Sequence, residues 1–285
     1  MPLIALALVL IAAALHAGWN LLVKRAKEKQ IFTWWALVVG TICFAPLLVL
    51  DPLPITRIWL YVVCSALVEG LYYITLTRAY EKGDFSLIYP MARGTAPALL
   101  AIWAVLFLDE RPHLAGFAGL ALLILGLIVV GGNVWWSLRK TSALSASGVG
   151  LALGTALCIS IYSAIDGAAV RLAPPLSYTV LIIGLSSVFI TPLMVVQYGY
   201  HTVTAEWRAN WPRIMLVGIL SLLSYMLVLY AYSVGRVSYA GAIREVSIVF
   251  AAIVGWRWLG ENFGGMRTVG AILIFAGILV IAVAG

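Results

Sequence analysis

Ten stretches of about 20 apolar residues follow one another along the chain, separated by short hinges that carry charge, Gly or Pro. A segment of that length is what a helix needs to cross the roughly 30 Å hydrocarbon core of a bilayer. Inside a bilayer no water satisfies the backbone, so a chain must cross as helices or as a closed barrel, and uninterrupted apolar runs select helices. The runs place spans near 3–23, 31–50, 57–79, 86–107, 114–134, 148–170, 176–198, 212–234, 237–258 and 267–284. With 64% hydrophobic residues, 10% charged residues and a mean hydropathy of +1.06, the composition lies outside the globular range. The expected fold class is an all-α integral membrane protein with ten transmembrane helices. The first run, Leu3 to Val23, carries its charges after it, the reverse of a secretory signal, and is expected to stay as a helix. The longest connections, 135–147 and 199–211, are too short for a soluble domain, which leaves function to the helices.

The net charge of +7 comes from basic residues scattered among hinges, a topology signal and not a nucleic-acid patch. Loops alternate sides. One side holds twelve basic residues, Lys24, Arg25, Lys27, Lys29, Arg78, Lys82, Arg139, Lys140, Arg208, Arg213, Arg257 and Arg267, and the other holds four, Arg57, Arg111, Arg171 and Arg236. The positive-inside rule then places the loop at 24–30 in the cytoplasm and both termini outside. Cys43, Cys64 and Cys158 lie inside apolar runs without metal-site or disulfide spacing. No metal or cofactor is expected.

The chain repeats itself. Ala79-Tyr80 with Gly83 returns as Ala231-Tyr232 with Gly235; after a one-residue gap Arg93 falls on Arg244, Glu110 on Glu261, Gly119 on Gly270 and Gly126 on Gly277. A shift of 146 residues pairs His16 with Tyr162, Asn20 with Asp166, Arg25 with Arg171, Thr33 with Thr179 and Pro46 with Pro192. The expected organisation is two five-helix repeats, 1–143 and 144–285. An odd number of spans per copy forces the second to be inverted. Inverted repeats are the architecture of secondary transporters, with the substrate near the midplane between the copies.

Ionisable groups inside the spans mark the candidate site, since each costs at least about 2.5–3.5 kcal/mol at the bilayer centre. Glu69 shares a helical face with Tyr72, Tyr73 and Tyr80. Tyr89 and Arg93 are four residues apart, and Pro97 removes the amide that would bond the carbonyl of Arg93, so a kink is expected there. His16, Trp19 and Asn20 face Tyr162 and Asp166 as repeat counterparts, with Ser221, Ser224 and Tyr225 on the eighth span and Arg244 and Glu245 on the ninth. The substrate-binding set is therefore His16, Trp19, Asn20, Glu69, Tyr72, Tyr73, Tyr89, Arg93, Tyr162, Asp166, Tyr225 and Arg244. Arginine's planar fork favours carboxylate or phosphate-like groups, and a desolvated carboxylate can carry a coupling proton, for which Glu69, Asp166 and Glu245 are the candidates.

Structural readings stand beside these. Arg93 and Glu69 can neutralise one another as a pair between helices, and His16 can serve as an interhelical hydrogen-bonding group. Arg244 and Glu245 are adjacent, so they point about 100° apart and only one faces a cavity. Trp34, Trp35, Trp59, Trp103, Trp135 and Trp136 read mostly as interface anchors or lipid-facing bulk. Glu110 and Glu261 read as turn or capping residues, and Gly116, Gly119 and Gly126 as close-packing positions.

The twofold five-helix repeat, Ala79-Tyr80 with Gly83 and Ser86 before Tyr89-Pro90, Arg93-Gly94-Thr95-Ala96-Pro97, and Glu110 followed by Gly119 and Gly126 together resemble the drug/metabolite transporter superfamily, in its ten-helix EamA-type branch. The resemblance covers essentially the whole chain. It implies a transporter, not an enzyme, of a class that exports amino acids, drugs, nucleotide sugars and other metabolites. The string His16-Ala17-Gly18-Trp19-Asn20 with Lys24 resembles a subgroup whose genes sit near phosphonate catabolism. The second copy departs from the pattern: it lacks Tyr-Pro before Arg244 and has Glu245 where the first has Gly94.

The expected function is secondary active efflux or uptake, proton-coupled or by exchange, of a small polar anionic or zwitterionic metabolite such as an amino acid or phosphonate-like compound. No phosphate-binding loop for an ATPase is present in the sequence. A flippase for a lipid-linked intermediate, an intramembrane enzyme and a structural or sensory subunit are the rival readings. The expected partners are the small-molecule substrate, membrane lipid and protons, with no nucleic acid, in a monomer or homodimer of the inner membrane.

Overall fold

The computed structural model describes residues 1–24, 26–82, 85–138, 146–247, 249–250 and 265–284, with side chains described throughout except at 24, 80–82, 85–91, 130–138, 146, 265–267 and 284. These residues form helices and short turns: α1 (Leu3–Lys24), α2 (Lys29–Phe44), α3 (Leu47–Leu50), α4 (Ile55–Lys82), α5 (Phe85–Phe107), α6 (Leu114–Leu138), α7 (Ala146–Ala169), α8 (Pro175–Val234), α9 (Val237–Arg244) and α10 (Gly265–Ala284). Leu3–Val23, Ile55–Ala79, Ser147–Ala169 and Pro175–Val234 are long and apolar enough to cross a membrane, and shorter apolar helices lie in the second, fourth, fifth and tenth spans. The surface is what a bilayer requires. Leu60, Leu67, Ile102, Leu106, Ile128, Ile272 and Phe275 point outward while Glu69, Arg93, Asp166, Arg244 and Glu245 are buried.

Three spans differ from the sequence expectation. The second, expected over 31–50, breaks after Phe44 because Pro46 has no amide to continue the ladder; α3 restarts beyond it. Residues 200–211 are helical where a connection was expected, and α8 holds two spans joined through this segment, with Gly199 (φ 73°) the residue that leaves helical geometry. The ninth span, expected over 237–258, is helical over α9 and turns at Glu245 and Val246; residues 251–264, with Arg257 and Glu261, lie outside the described residues. In contrast, α5 stays helical through Pro97. Trp34 and Trp103 are interhelical pins, not lipid-facing anchors: Trp34 Nε1 donates to Ser187 O (3.2 Å) and Thr191 Oγ1 (3.0 Å), and Trp103 Nε1 donates to Ser160 Oγ (3.0 Å).

Packing follows the repeat. α6 and α10 cross with Gly119 on Gly277 and Gly126 on Gly270, so the two helices run antiparallel and the two crossings are repeat counterparts of one another. A Cβ at Gly126 would lie 2.7 Å from Gly270 O, so only glycine permits this approach. α2 lies along the first arm of α8 in the same sense, Trp34 reaching Thr191 and Thr41 facing Gly184. The second arm of α8 crosses α2 at Gly218 on Gly40, and the counterpart crossing occurs at Ala66 on Ser186, where Ser186 Oγ donates to Ala66 O (3.0 Å). α4 and α5 pack on α7 as the second arm of α8 and α9 pack on α1. Among the described residues the main pairings between copies thus map onto themselves or onto their counterparts, as a twofold axis lying across the helices requires.

Candidate functional site

Where α1, α2, α4, α5, α7, α8 and α9 meet, they surround a cavity of about 470 Å³, the open space at its mouth included. Residues with polar groups in its walls are His16 and Trp19 from α1, Glu69, Tyr72 and Tyr73 from α4, Arg93 from α5, Tyr162 from α7, Ser221, Ser224 and Tyr225 from α8, and Arg244 from α9. Leu37, Ile183, Leu222 and Val228 supply the apolar remainder. The four-residue and three-residue steps of α1 and α4 put these side chains on one helical face, as their spacing predicted.

The positive end is built from both copies. Arg93 Nη1 donates to both oxygens of Glu245 (3.0 Å each), and Arg244 Nε donates to Glu245 Oε1 (3.2 Å). One buried carboxylate therefore serves two buried guanidinium groups. The alternative of an Arg93–Glu69 pair is not what forms, since the carboxylate that Arg93 bonds, Glu245, comes from the other repeat. Adjacent helical residues diverge, yet Arg244 folds back along its own turn; Arg244 lines the cavity and Glu245 sits behind it. The second face of Arg93 meets His16 Nε2, which accepts from Nη2 and so leaves the imidazole proton on Nδ1. His16 is thus an interhelical partner and a cavity wall at once, and its ring meets Trp19 edge-on at 4.7 Å.

Glu69 lies on another wall, with Ser186 Oγ at 3.4 Å from its Oε2. Asp166 lies behind the wall. It accepts from Ser65 Oγ (2.5 Å), Tyr178 Oη (2.8 Å) and Tyr225 Oη, so Tyr225 connects the cavity to this buried carboxylate. Three tyrosines, Tyr72, Tyr162 and Tyr225, stack edge-on in sequence with centroids 5.7 and 6.1 Å apart. The indole Nε1 of Trp19 is buried and has no hydrogen-bond partner among the described residues, an unusual state for a buried donor.

Of the residues singled out in the sequence, His16, Trp19, Glu69, Tyr72, Tyr73, Arg93, Tyr162, Tyr225 and Arg244 converge on the cavity. Asn20 turns onto its own helix, its Nδ2 donating to His16 O (2.8 Å), and is not among the lining residues. The side chain of Tyr89 lies outside the described residues. Ser65, Tyr178, Ser186, Leu37 and Ile183 were not singled out. Ser65 stands one turn before Glu69, and that spacing was the available signal; Tyr178 and Ser186 reach the site only through the fold. A second cavity, of about 280 Å³, adjoins the first through the shared residues Leu37 and Tyr73 and runs past Thr33, Trp34 and Thr77 toward Gln30. This second cavity lies between α2, α4 and the first arm of α8, on the side of the site that faces the 24–30 loop.

Known proteins share this organisation. An uncharacterized transporter in the cobO 3' region of Sinorhizobium sp. is 30% identical over 74 residues, 26% of this chain and 52% of the relative, so the chain spans about half the length of that curated relative. A solved chain described only as a crystal structure of a protein aligns over 99% of this chain and 98% of its own length with a TM-score of 0.72 at 17% identity, a likeness of fold. The EamA-like transporter family model matches residues 3–132 and 146–283, nearly the whole chain in two successive segments, and the chain belongs to that family.

Proposed function

We propose that this membrane transporter carries a small polar anionic or zwitterionic metabolite, such as an amino acid or a phosphonate-like compound, by alternating access around the central cavity. The observation that carries the reading is the pair of buried arginines, one from each repeat, sharing the single carboxylate of Glu245 at the cavity wall. An anionic ligand group there would meet Arg244, with the unpaired indole N–H of Trp19 as a further donor. Glu69 is available to a cationic end of the ligand or to a coupling proton. It has a lone serine contact of 3.4 Å, whereas Glu245 is committed to two guanidiniums and Asp166 to three hydroxyls.

The inverted frame lets the two copies exchange which end is open, so the carrier works as a secondary transporter driven by a proton gradient or by exchange. The charge distribution along the sequence supports an inner-membrane protein with the 24–30 loop in the cytoplasm and both termini outside. Thermal-shift screening of the detergent-purified protein against amino acids, phosphonates, organic acids, organic cations and nucleotide sugars tests the reading, because a ligand of the folded state raises its stability by mass action. Stabilisation by an anionic or zwitterionic class, abolished in a folded Arg93→Ala variant, is expected. Equal stabilisation of that variant defeats the site assignment.

A further inference from the structure

At the far end of α5 from the cytoplasmic loop, the chain turns at Asp109 (φ 50°) and buries Glu110 between three elements. Oε1 of Glu110 accepts the backbone N–H of Val237 at 2.6 Å, while Oε2 accepts the N–H of Ser238 at 3.2 Å and its Oγ at 2.5 Å. Val237 and Ser238 are the first residues of α9, whose opening N–H groups have no partner within the helix and carry its positive end. Arg236 caps nothing with its own side chain, and the cap comes from Glu110, in the turn just past the end of α5. Arg171, just past α7, completes the cluster: its Nη2 lies 3.5 Å from Glu110 Oε1 and its Nη1 donates to Leu108 O at 3.1 Å.

All of these contacts join the first repeat, through Leu108 and Glu110, to the second, through Arg171, Val237 and Ser238. The helix they seize is short and wholly buried. Its eight residues run from the cap to Arg244, about 12 Å at 1.5 Å per residue, so the cap and the cavity arginine sit at the two ends of one rod. The other arginine, Arg93, stands on the helix that delivers Glu110. On the outer side of the rod lies an open cavity of about 890 Å³ lined by Arg171, Tyr232, Gly235, Arg236 and Tyr239; on the inner side lies the central cavity with Arg244 on its wall. The first turns of α9, with Val237, Tyr239 and Ala240 fully buried, are the partition between them.

Building on the transport reading, we propose that Glu110 is a positioning residue that latches this face shut: by capping α9 from the opposite repeat it holds the partition closed and fixes Arg244 in the central site. Opening the face requires the second repeat to withdraw the N-terminus of α9 and Arg171 from Glu110. The latch is polar and sits beside an open cavity, so water can take over the released N–H groups when it parts. A purely apolar seam would offer no such exchange.

Thiol labelling tests the latch. The background carries Cys43→Ser, Cys64→Ser and Cys158→Ser, and Val228→Cys places a reporter on the wall of the central cavity. A separate Arg111→Cys variant, at a side chain 87% exposed beside Glu110, identifies the vesicles that present this face. With a membrane-impermeant maleimide on that face, Glu110→Gln is expected to raise the labelling rate of Val228→Cys by about tenfold or more, the factor that corresponds to about 1.4 kcal/mol. Labelling from the opposite face is expected to stay as it was. Ser238→Ala, which removes one contact and spares the carboxylate, is expected to shift the rate in the same direction by less, and serves if Glu110→Gln does not fold. An unchanged rate in the folded variants overturns the proposal, and so does equal acceleration from both faces, which marks general loosening. Labelling requires no ligand, so a failed ligand screen would overturn the central-site reading while leaving this result to stand or fall by itself.

Discussion

Replacing Glu245 with Gln removes one negative charge from a cluster that otherwise holds two guanidiniums, and the structure sets the size of the effect. Glu245 is 1% exposed and takes a shared hydrogen bond from Arg93 Nη1 (3.0 Å to each oxygen) and one from Arg244 Nε (3.2 Å). Breaking a buried ion pair on one side costs about 3–5 kcal/mol, because the remaining charge stays buried without compensation. Glutamine keeps a carbonyl that can accept one of the two guanidiniums, which puts the expected loss at the lower end, about 3 kcal/mol, against a total stability of roughly 5–15 kcal/mol. The variant should therefore fold and melt distinctly lower. It should also gain more from an anion than the parent does, since inorganic phosphate or the anionic ligand no longer competes with an internal carboxylate; at a concentration of 100 times Kd the gain is about 2.7 kcal/mol. The assay is a thermal melt in detergent with and without phosphate at constant ionic strength. An unchanged melting temperature, or an anion gain equal to that of the parent, would refute the argument that Glu245 balances both arginines.

Glu69→Gln is expected to leave ligand binding measurable while removing the dependence of uptake on a pH gradient, read in proteoliposomes; gradient-driven transport that survives unchanged would move the proton to another group. Gly126→Ala places a methyl 2.7 Å from Gly270 O, so α6 and α10 must separate, and a loss of about 1–3 kcal/mol is expected in a thermal melt; a melt like the parent's would show that this crossing is not tight. Trp19→Phe keeps an aromatic ring but deletes the unpaired indole N–H, and a binding loss of about tenfold at unchanged melting temperature is expected if the ligand accepts that bond; unaltered affinity would remove Trp19 from ligand contact.

Features that repeat locally were legible in the sequence, and those created by contact between copies were not. Apolar run length located the spans, because the bilayer imposes one length on all of them. The recurrence of Arg93 as Arg244 and of Gly119 and Gly126 as Gly270 and Gly277 exposed the repeat, and the structure brings these glycines into contact across the axis. The nine cavity residues read from helical spacing were legible for the same reason: an intramembrane polar side chain has few places to go but inward. The Arg93–Glu245 bond was hidden, since its partners are 152 residues apart and the nearer carboxylate in helix order was Glu69. Likewise, the Ser65, Tyr178 and Tyr225 hydroxyls around Asp166 come from α4 and the two arms of α8, whose juxtaposition no local pattern records. Helix 200–211 was missed because its Arg, Asn, Glu and Thr residues suppress the apolar signal, although burial of Val203 and Glu206 seats it against the body of the protein.

The backbone obeys the twofold axis while the charges break it, and that difference bears on mechanism. The arginines occupy counterpart positions, Arg93 and Arg244, so each copy brings one guanidinium toward the cavity. The carboxylates do not. By the same alignment Glu69 stands opposite Ser221, Asp166 opposite Asn20 and Glu245 opposite Gly94, and each acid has a neutral counterpart. A frame whose inter-copy pairings map onto one another can exchange its two ends at little net cost, since the packing broken at one end resembles the packing made at the other. A symmetric charge set would make the two end states electrically alike as well, with no group whose protonation favours one over the other. Because the acids are distributed unevenly, with Glu69 on the cavity wall and Asp166 and Glu245 behind it, protonating any one of them would shift the balance between the two states of the proposed carrier. On the proposed transport reading, coupling would reside in the side chains that depart from the repeat, and exchange of access in those that obey it.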